Sequence, residues 1–262
     1  MPNPAPPPNR DVCVLAFDGM PLFEFSIAVE IFGLERPEMG PDWYRFTVAS
    51  FEGQAGRTTA GLRVAADAGL EAMETAGTLI IPGWPLSKPV PERLRTLLIR
   101  AHARGARIVT ICSGISALAA TGLLDGKRAT THWQYTGEMR RLYPQVELVP
   151  DVLYVDEGQI LTSAGSAAGI DLCLHLIRRD FGPEAANKVA RRLVVPPHRD
   201  GGQAQYIPKS VPITYERNRL GPLLDYLREH LECHHTVAEL ARRAGMSERT
   251  FLRRFEDATG TS

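Results

Sequence analysis

The sequence predicts an α/β domain, a parallel sheet with helices on both faces, followed by a small all-α helix-turn-helix region. Three observations carry this. The strand candidates DVCVLAF, TLIIPGW and RIVTIC are short and apolar throughout, as strands buried on both faces must be. Segments of helical period stand between them. From about Leu220 that alternation stops and the remaining chain reads as helix.

Taken in order, DVCVLAF is the first strand and FSIAVEIFGL the helix after it. RFTVASF, TLIIPGW and RIVTIC are further strands. Between the last two, PERLRTLLIRAHARG sets Leu94, Leu97, Leu98 and Ala101 on one helix face, and Gly105 stands where a C-terminal cap belongs. YVDEGQILTSAGSAAGIDLCLHLIRRDFG reads as a hairpin or late strand, a turn of small residues and a long helix. PPHRDGGQAQYIPKSVPIT, rich in Pro, Gly and Gln, reads as a linker or extended arm. The expected divisions are a disordered tail over 1–10, the α/β domain over 11–196, a linker over 197–219 and the helical region over 220–262.

In the helical region GPLLDYLREHLE places Leu223, Leu224, Leu227 and Leu231 on one face. TVAELARRAG does the same with Val237, Leu240, Ala241 and Ala244. Thr236 and Glu239 have the spacing of a capping box. Gly245 breaks the helix, Met246 plugs the corner and Ser247 caps ERTFLRRFEDAT. Phe251 and Phe255, four apart, face inward and leave Arg249, Leu252 and Arg253 outward. In a helix-turn-helix the N-terminal half of this second helix enters the major groove, where arginine binds guanine bidentately. The candidate DNA contacts are Ser247, Arg249, Thr250, Leu252 and Arg253. The plainer reading is a helical hairpin with a solvated charged face, and Glu248, Glu256 and Asp257 nearly balance the arginines.

Size and composition bound the rest. The 262 residues suffice for about two domains. Lys plus Arg equals Asp plus Glu at 30 each, so bulk charge argues for no partner. MPNPAPPPNR lacks an apolar core and reads as a tail, not a signal peptide. No apolar run approaches the ~20 residues that cross a bilayer. Cys13, Cys112, Cys173 and Cys233 are scattered without CxxC pairs, which suggests neither a disulfide framework nor a zinc site and places the chain in a reducing cytoplasm. His234 and His235 lack a carboxylate at ligand spacing and read as solvated loop. No metal and no cofactor are expected.

In IVTICSGISALA a buried strand gives way to a tight turn and a helix, with Cys112 at the corner. A helix N-terminus lowers a thiol pKa from its ordinary ~8.5, so this corner is where a nucleophile would be displayed.

TVAELARRAGMSERTFLRRFEDATGTS resembles the first helix-turn-helix of AraC-type transcription regulators, down to the Met-Ser corner and the closing Thr-Gly-Thr-Ser. The resemblance implies a second such unit beyond this point, absent from the sequence through Ser262. Either the region is truncated here, or DNA binding comes from one unit per subunit plus dimerisation, and this form is expected to bind weakly and with strong salt dependence. The order of FDGMPLFEFSIAVEIF, LIIPGW, VTICSGISALAATGLLDGKRATTHW and LTSAGSAAGIDLCLHL is similar to the PfpI-type, class I glutamine-amidotransferase-like superfamily. Within it, the pattern is that of domains fused in front of AraC-type units, as in FtrA-like regulators. This implies a flavodoxin-like sheet and Cys112 on a nucleophile elbow. It also implies Glu24 as the acid beside the thiol, His132 lining the same pocket, and Gly83 with Trp84 in the loop that offers a backbone N–H to an oxyanion.

Two departures count against hydrolysis. Ser113 stands where peptidase-like members have a histidine, and no later His-x-Glu pair is in register. The expectation is therefore a DNA-binding regulator, homodimeric through the α/β domain, that senses a small-molecule effector or redox state at Cys112, Glu24 and His132. The alternatives are a cysteine-dependent hydratase or hydrolase, and a dimerisation module in which Cys112 is inert. His198, in PPHRDGG, is implied to serve an interdomain or dimer contact.

Overall fold

Strand β1 (Asp11–Ala16) is buried along almost its whole length, because both of its faces are covered. In the computed structural model, which describes residues 7–51, 56–205, 220, 222–223, 226–227, 230 and 233–259, β1 pairs in parallel with β2 (Arg45–Ser50) on one side and β6 (Thr78–Ile81) on the other. Short segments β3 (Gly56–Arg57), β4 (Arg63–Val64) and β5 (Ala68–Gly69) precede β6. Beyond β6 lie β7 (Arg107–Ile111) and β11 (Ile160–Ser163), both parallel, and then β10 (Tyr154–Asp156), antiparallel to β11. The order β10-β11-β7-β6-β1-β2-β5 contains the flavodoxin-like arrangement, in which ligands bind outside the carboxyl ends of the strands. Small pairs β3–β4 and β8 (Arg128–Ala129) with β9 (Glu147–Leu148) stand apart from the main sheet. They are too short to leave a periodic signal.

The helices expected after β1, before β7, after Cys112 and after β11 all form, and two short ones not expected from the sequence, before β6 and after His132, join them. Helix α1 (Leu22–Ala28) continues into a π-helical turn, Val29–Gly33, and α2 (Glu71–Thr75) precedes β6. Helix α3 (Glu92–Ala103) buries Leu94, Leu97, Leu98 and Ala101, and Gly105 leaves it with φ +93°. Helices α4 (Ile115–Ala119) and α5 (Thr136–Leu142) follow. Helix α6 (Ala167–Leu193) is broken at Gly182, whose φ of 84° and ψ of 173° are not helical. Pro183 follows, and proline cannot donate to the preceding turn. A buried network ties this helix to the sheet: the Tyr44 hydroxyl donates to Asp180, Arg107 pairs with Asp180 at 2.6 Å, and Arg107 also donates to the Thr78 hydroxyl.

The chain divides into two compact units, Met1–Gln205 and Tyr206–Ser262. Residues expected at the near end of the linker belong to the first. Arg199 makes a two-pronged ion pair with Asp171, the Gly201 carbonyl accepts from Leu153 and Tyr154, and Gln205 bonds Thr131 and Trp133. A segment rich in Gly and Gln can pack when its polar groups find partners, which composition does not reveal. Likewise Asn9 bonds the Thr75 carbonyl and Arg10 pairs with Asp42, so order begins before Asp11. Residues 1–6 and 206–219 lie outside the described residues.

In the second unit α7 (Val237–Arg243) carries the capping box at Thr236 and Glu239. Gly245 turns the chain with φ +64°, and α8 (Glu248–Thr259) follows. Leu220, Leu223, Ala241, Ala244 and Phe251 form its core, with Leu227, Leu240, Met246 and Phe255 packed against them. Val237, expected on the buried face, is 40% exposed in the first turn. Leu224 and Leu231 fall outside the described residues. Thr236→Ala removes the side-chain half of the box, the hydroxyl that accepts from the Glu239 N–H, and should destabilise this unit by ~1 kcal/mol. Urea unfolding followed by helical circular dichroism measures it, and an unchanged midpoint would refute the cap's role.

Candidate functional site

Cys112 follows the carboxyl end of β7 with φ +58°, a conformation that side-chain-bearing residues rarely hold unless the surroundings impose it. It opens a 3-10 turn, Cys112–Gly114, that leads into α4. Two glycines make room. A Cβ on Gly114 would lie 2.5 Å from the carbonyl oxygens of Ile81 and Pro82, and one on Gly165 would lie 2.3 Å from Cys112 Cβ. The elbow is thus wedged between the loops that leave β6 and β11. Thr131 donates to the Cys112 carbonyl at 3.0 Å, and Ser116 to the Ser113 carbonyl at 2.9 Å.

Glu24, at the start of α1, is 8% exposed and faces this thiol. The expectation that the helix N-terminus lowers the thiol pKa is overturned: it is pushed up to about 12. Burial is the largest cause and the Glu24 carboxylate the next, through its charge, with a lesser hydrogen bond to the thiol. The backbone N–H and hydroxyl of Ser113 act the other way and lose. The turn is 3-10 and α4 has only five residues, so little dipole stands behind the corner. At neutral pH the sulfur holds its proton.

His132 is half-buried, its pKa lowered by burial against the opposing charge of Glu24. Its Nδ1 accepts from the Gln134 N–H at 3.3 Å and caps the turn Trp133–Tyr135. That nitrogen is engaged in structure. Gly83 lies beside the elbow, since a Cβ there would meet Pro21 at 2.7 Å and the Ser113 hydroxyl at 3.0 Å. Trp84, 1% exposed, is locked by its indole N–H on the Lys88 carbonyl. Cys112, Glu24, His132 and Gly83, read from four separate stretches, therefore meet at the carboxyl edge of the sheet. The sequence reading missed Tyr135, which feels the charge of both Cys112 and Glu24, Thr131 and Gly165. The Thr-Thr before His132 and the small-residue turn around Gly165 were the available signals.

On α8 the predicted surface divides. Arg249, Leu252 and Arg253 are exposed, Leu252 to 43%, while Phe251 is 2% exposed. Ser247 is exposed as well, and its hydroxyl donates to Thr250 Oγ1 at 2.9 Å and accepts from the N–H of the half-buried Thr250. Those two polar groups cap the helix. Among the described residues no three His, Cys, Asp or Glu side chains gather to hold a metal, and no helix is long and apolar enough to cross a membrane.

Residues 10–179 match the DJ-1/PfpI family. The chain is 27% identical over 255 residues to the HTH-type transcriptional regulator GbdR of Pseudomonas aeruginosa, covering 96% of this chain and 69% of that one. It is 34% identical over 181 residues to an isonitrile hydratase of Pseudomonas putida, covering 67% and 77%. The fold matches the crystal structure of an AraC family transcriptional regulator from Pseudomonas putida with a TM-score of 0.62 at 22% identity, over 70% of this chain and 98% of that one. The chain belongs to the DJ-1/PfpI family, and over nearly its whole length it is similar to helix-turn-helix transcriptional regulators.

Proposed function

We propose that this protein is a sequence-specific, DNA-binding transcription regulator of AraC type, whose α/β domain responds to a small molecule or to oxidation at Cys112. The observation that carries the reading is α8, which sinks Phe251 into a core and presents Arg249, Leu252 and Arg253 together to solvent. Two arginines flanking an exposed leucine suit base edges and a thymine methyl. The kinship with regulators over nearly the whole chain supports it. A ligand or oxidised sulfur acts by favouring one arrangement of a homodimer over another, and ~1–3 kcal/mol of such coupling is typical. The expected location is the cytoplasm.

Arg249→Ala and Arg253→Ala should each weaken specific binding by ~1–3 kcal/mol and relax the preference at one base position. Fluorescence anisotropy on sites selected from random DNA measures this at two salt concentrations. Equal weakening on every sequence would assign them to phosphates. No selection of any sequence would sink the proposal.

One observation favours a second reading. The strained elbow at Cys112, next to Glu24, is the arrangement of an enzyme that activates sulfur, and the isonitrile hydratase is a relative. Against it, and equally against oxidation of the resting sulfur, stands a thiol held protonated. Turnover of isocyanides or small amides that Cys112→Ala abolishes would establish the enzyme.

A further inference from the structure

The π-helical turn Val29–Gly33 opens a cleft of about 440 Å³ between itself and the start of β2, beyond the C-terminal end of α1, whereas Glu24 stands near its start. Such turns recur at functional positions, and the volume is that of a small-ligand site. Two residues lining it hold unsatisfied donors. Arg36 is 4% exposed; its Nε donates to the Ile31 carbonyl at 3.3 Å and its Nη2 to the Glu30 carbonyl at 2.9 Å. Capping the turn explains those two nitrogens and leaves Nη1 buried without a partner. Trp43, 8% exposed, has a buried indole N–H that is also without one.

Charge points the same way. Glu30, Glu38 and Arg192 all act on the Arg36 guanidinium through charge, and Arg192 acts the most strongly of the three. The remaining wall is largely apolar, with Phe32, Leu34, Tyr44 and Phe46 beside two prolines, and Glu35 and Arg45 also line it. Phe46 lies against Gly33, where any Cβ would come within 2.7 Å of its ring. Trp43 and Tyr44 pack on Phe181 with ring centroids 4.9 Å apart, and Tyr44 is clamped by Asp180. Two orphaned donors, a buried cation and a mostly apolar wall call for an anionic acceptor that carries an apolar body.

We propose that this cleft binds a small carboxylate, its oxygens taking up the free N–H groups of Arg36 and Trp43 and its apolar part lying on Phe46. The site stands apart from Cys112 and does not rest on the reading of that thiol.

Calorimetric titration of the full chain with acetate, butyrate and benzoate tests it, with benzamide as the neutral mimic and inorganic phosphate as the bare anion. Benzoate should bind saturably at one site, benzamide and phosphate at least about tenfold more weakly. Trp43→Phe keeps a ring and removes the N–H, and should weaken benzoate about tenfold, as should Arg36→Lys. Cys112→Ala should leave the affinity unchanged. Equal affinity for benzoate and benzamide would overturn the proposal. So would phosphate binding as tightly as benzoate, wild-type affinity in Trp43→Phe, or no saturation by any of the three carboxylates up to about 10 mM.

Discussion

Gly165→Ala should destabilise the α/β unit by about 3 kcal/mol or more and dislodge Cys112. Two separate costs add. Gly165 has φ +82°, which an alanine adopts only with strain. The new methyl would also stand 2.3 Å from Cys112 Cβ and 2.7 Å from its Cα. That second obstacle is backbone and the root of a side chain, not the movable end of one, so the loop after β11 and the elbow after β7 must part. Gly126→Ala separates the costs: Gly126 has φ +68°, and a methyl placed there would meet nothing within 4 Å. It should lose only ~1 kcal/mol. Urea denaturation of both variants makes the comparison. Equal losses would mean that the approach of Gly165 to Cys112 does not hold the elbow.

Glu24→Gln should bring the Cys112 thiol down from about 12 by ~1–3 units, the effect of removing one close charge. At any pH well below its pKa each unit raises the thiolate fraction about tenfold, so alkylation by iodoacetamide near neutrality should accelerate roughly ten- to a thousandfold. A background of Cys233→Ser removes the exposed thiol, while burial holds the Cys13 and Cys173 thiols high. The sign for stability follows from the same shift. The folded thiol titrates far above the ordinary ~8.5 of an unfolded one, so its contribution is complete below that pH and is lost as pH rises toward about 12. Glu24→Gln should therefore soften the alkaline loss of stability. An unchanged alkylation profile would show that burial alone sets the thiol, and would take Glu24 out of the proposed sensing site.

The strands that the sequence revealed most clearly, β1, β6 and β7, are those buried on both faces, where every residue must be apolar. Helix α3 was legible for the complementary reason: one face meets the sheet, and Leu94, Leu97, Leu98 and Ala101 keep its period. The cap at Thr236 and Glu239 is a local rule and held locally. The two-residue strands β3, β4, β5, β8 and β9 escaped because two residues carry no period. The packing of 197–205 escaped because it depends on Asp171, Leu153 and Thr131, which stand far away in the chain.

The candidate site divides along the same line. A cysteine between an apolar strand and a run of small residues marked the elbow, and family resemblance pointed to Glu24, His132 and Gly83. Whether that thiol is a nucleophile at rest was not written in the elbow itself. Local reasoning saw a helix N-terminus and expected a lowered pKa. Desolvation and a carboxylate brought from α1, eighty-eight positions earlier, decide it in the other direction. The cleft at Arg36 and Trp43 had no local signature, since an unpaired donor becomes visible only once every neighbour is in place. By itself the sequence determined the order of layers, the elbow and the helix-turn-helix, because period, capping and turn chemistry act over a few residues. Only the tertiary structure decided the protonation of Cys112 and the donors left free at Arg36 and Trp43, because burial and charge act between residues that folding alone brings together.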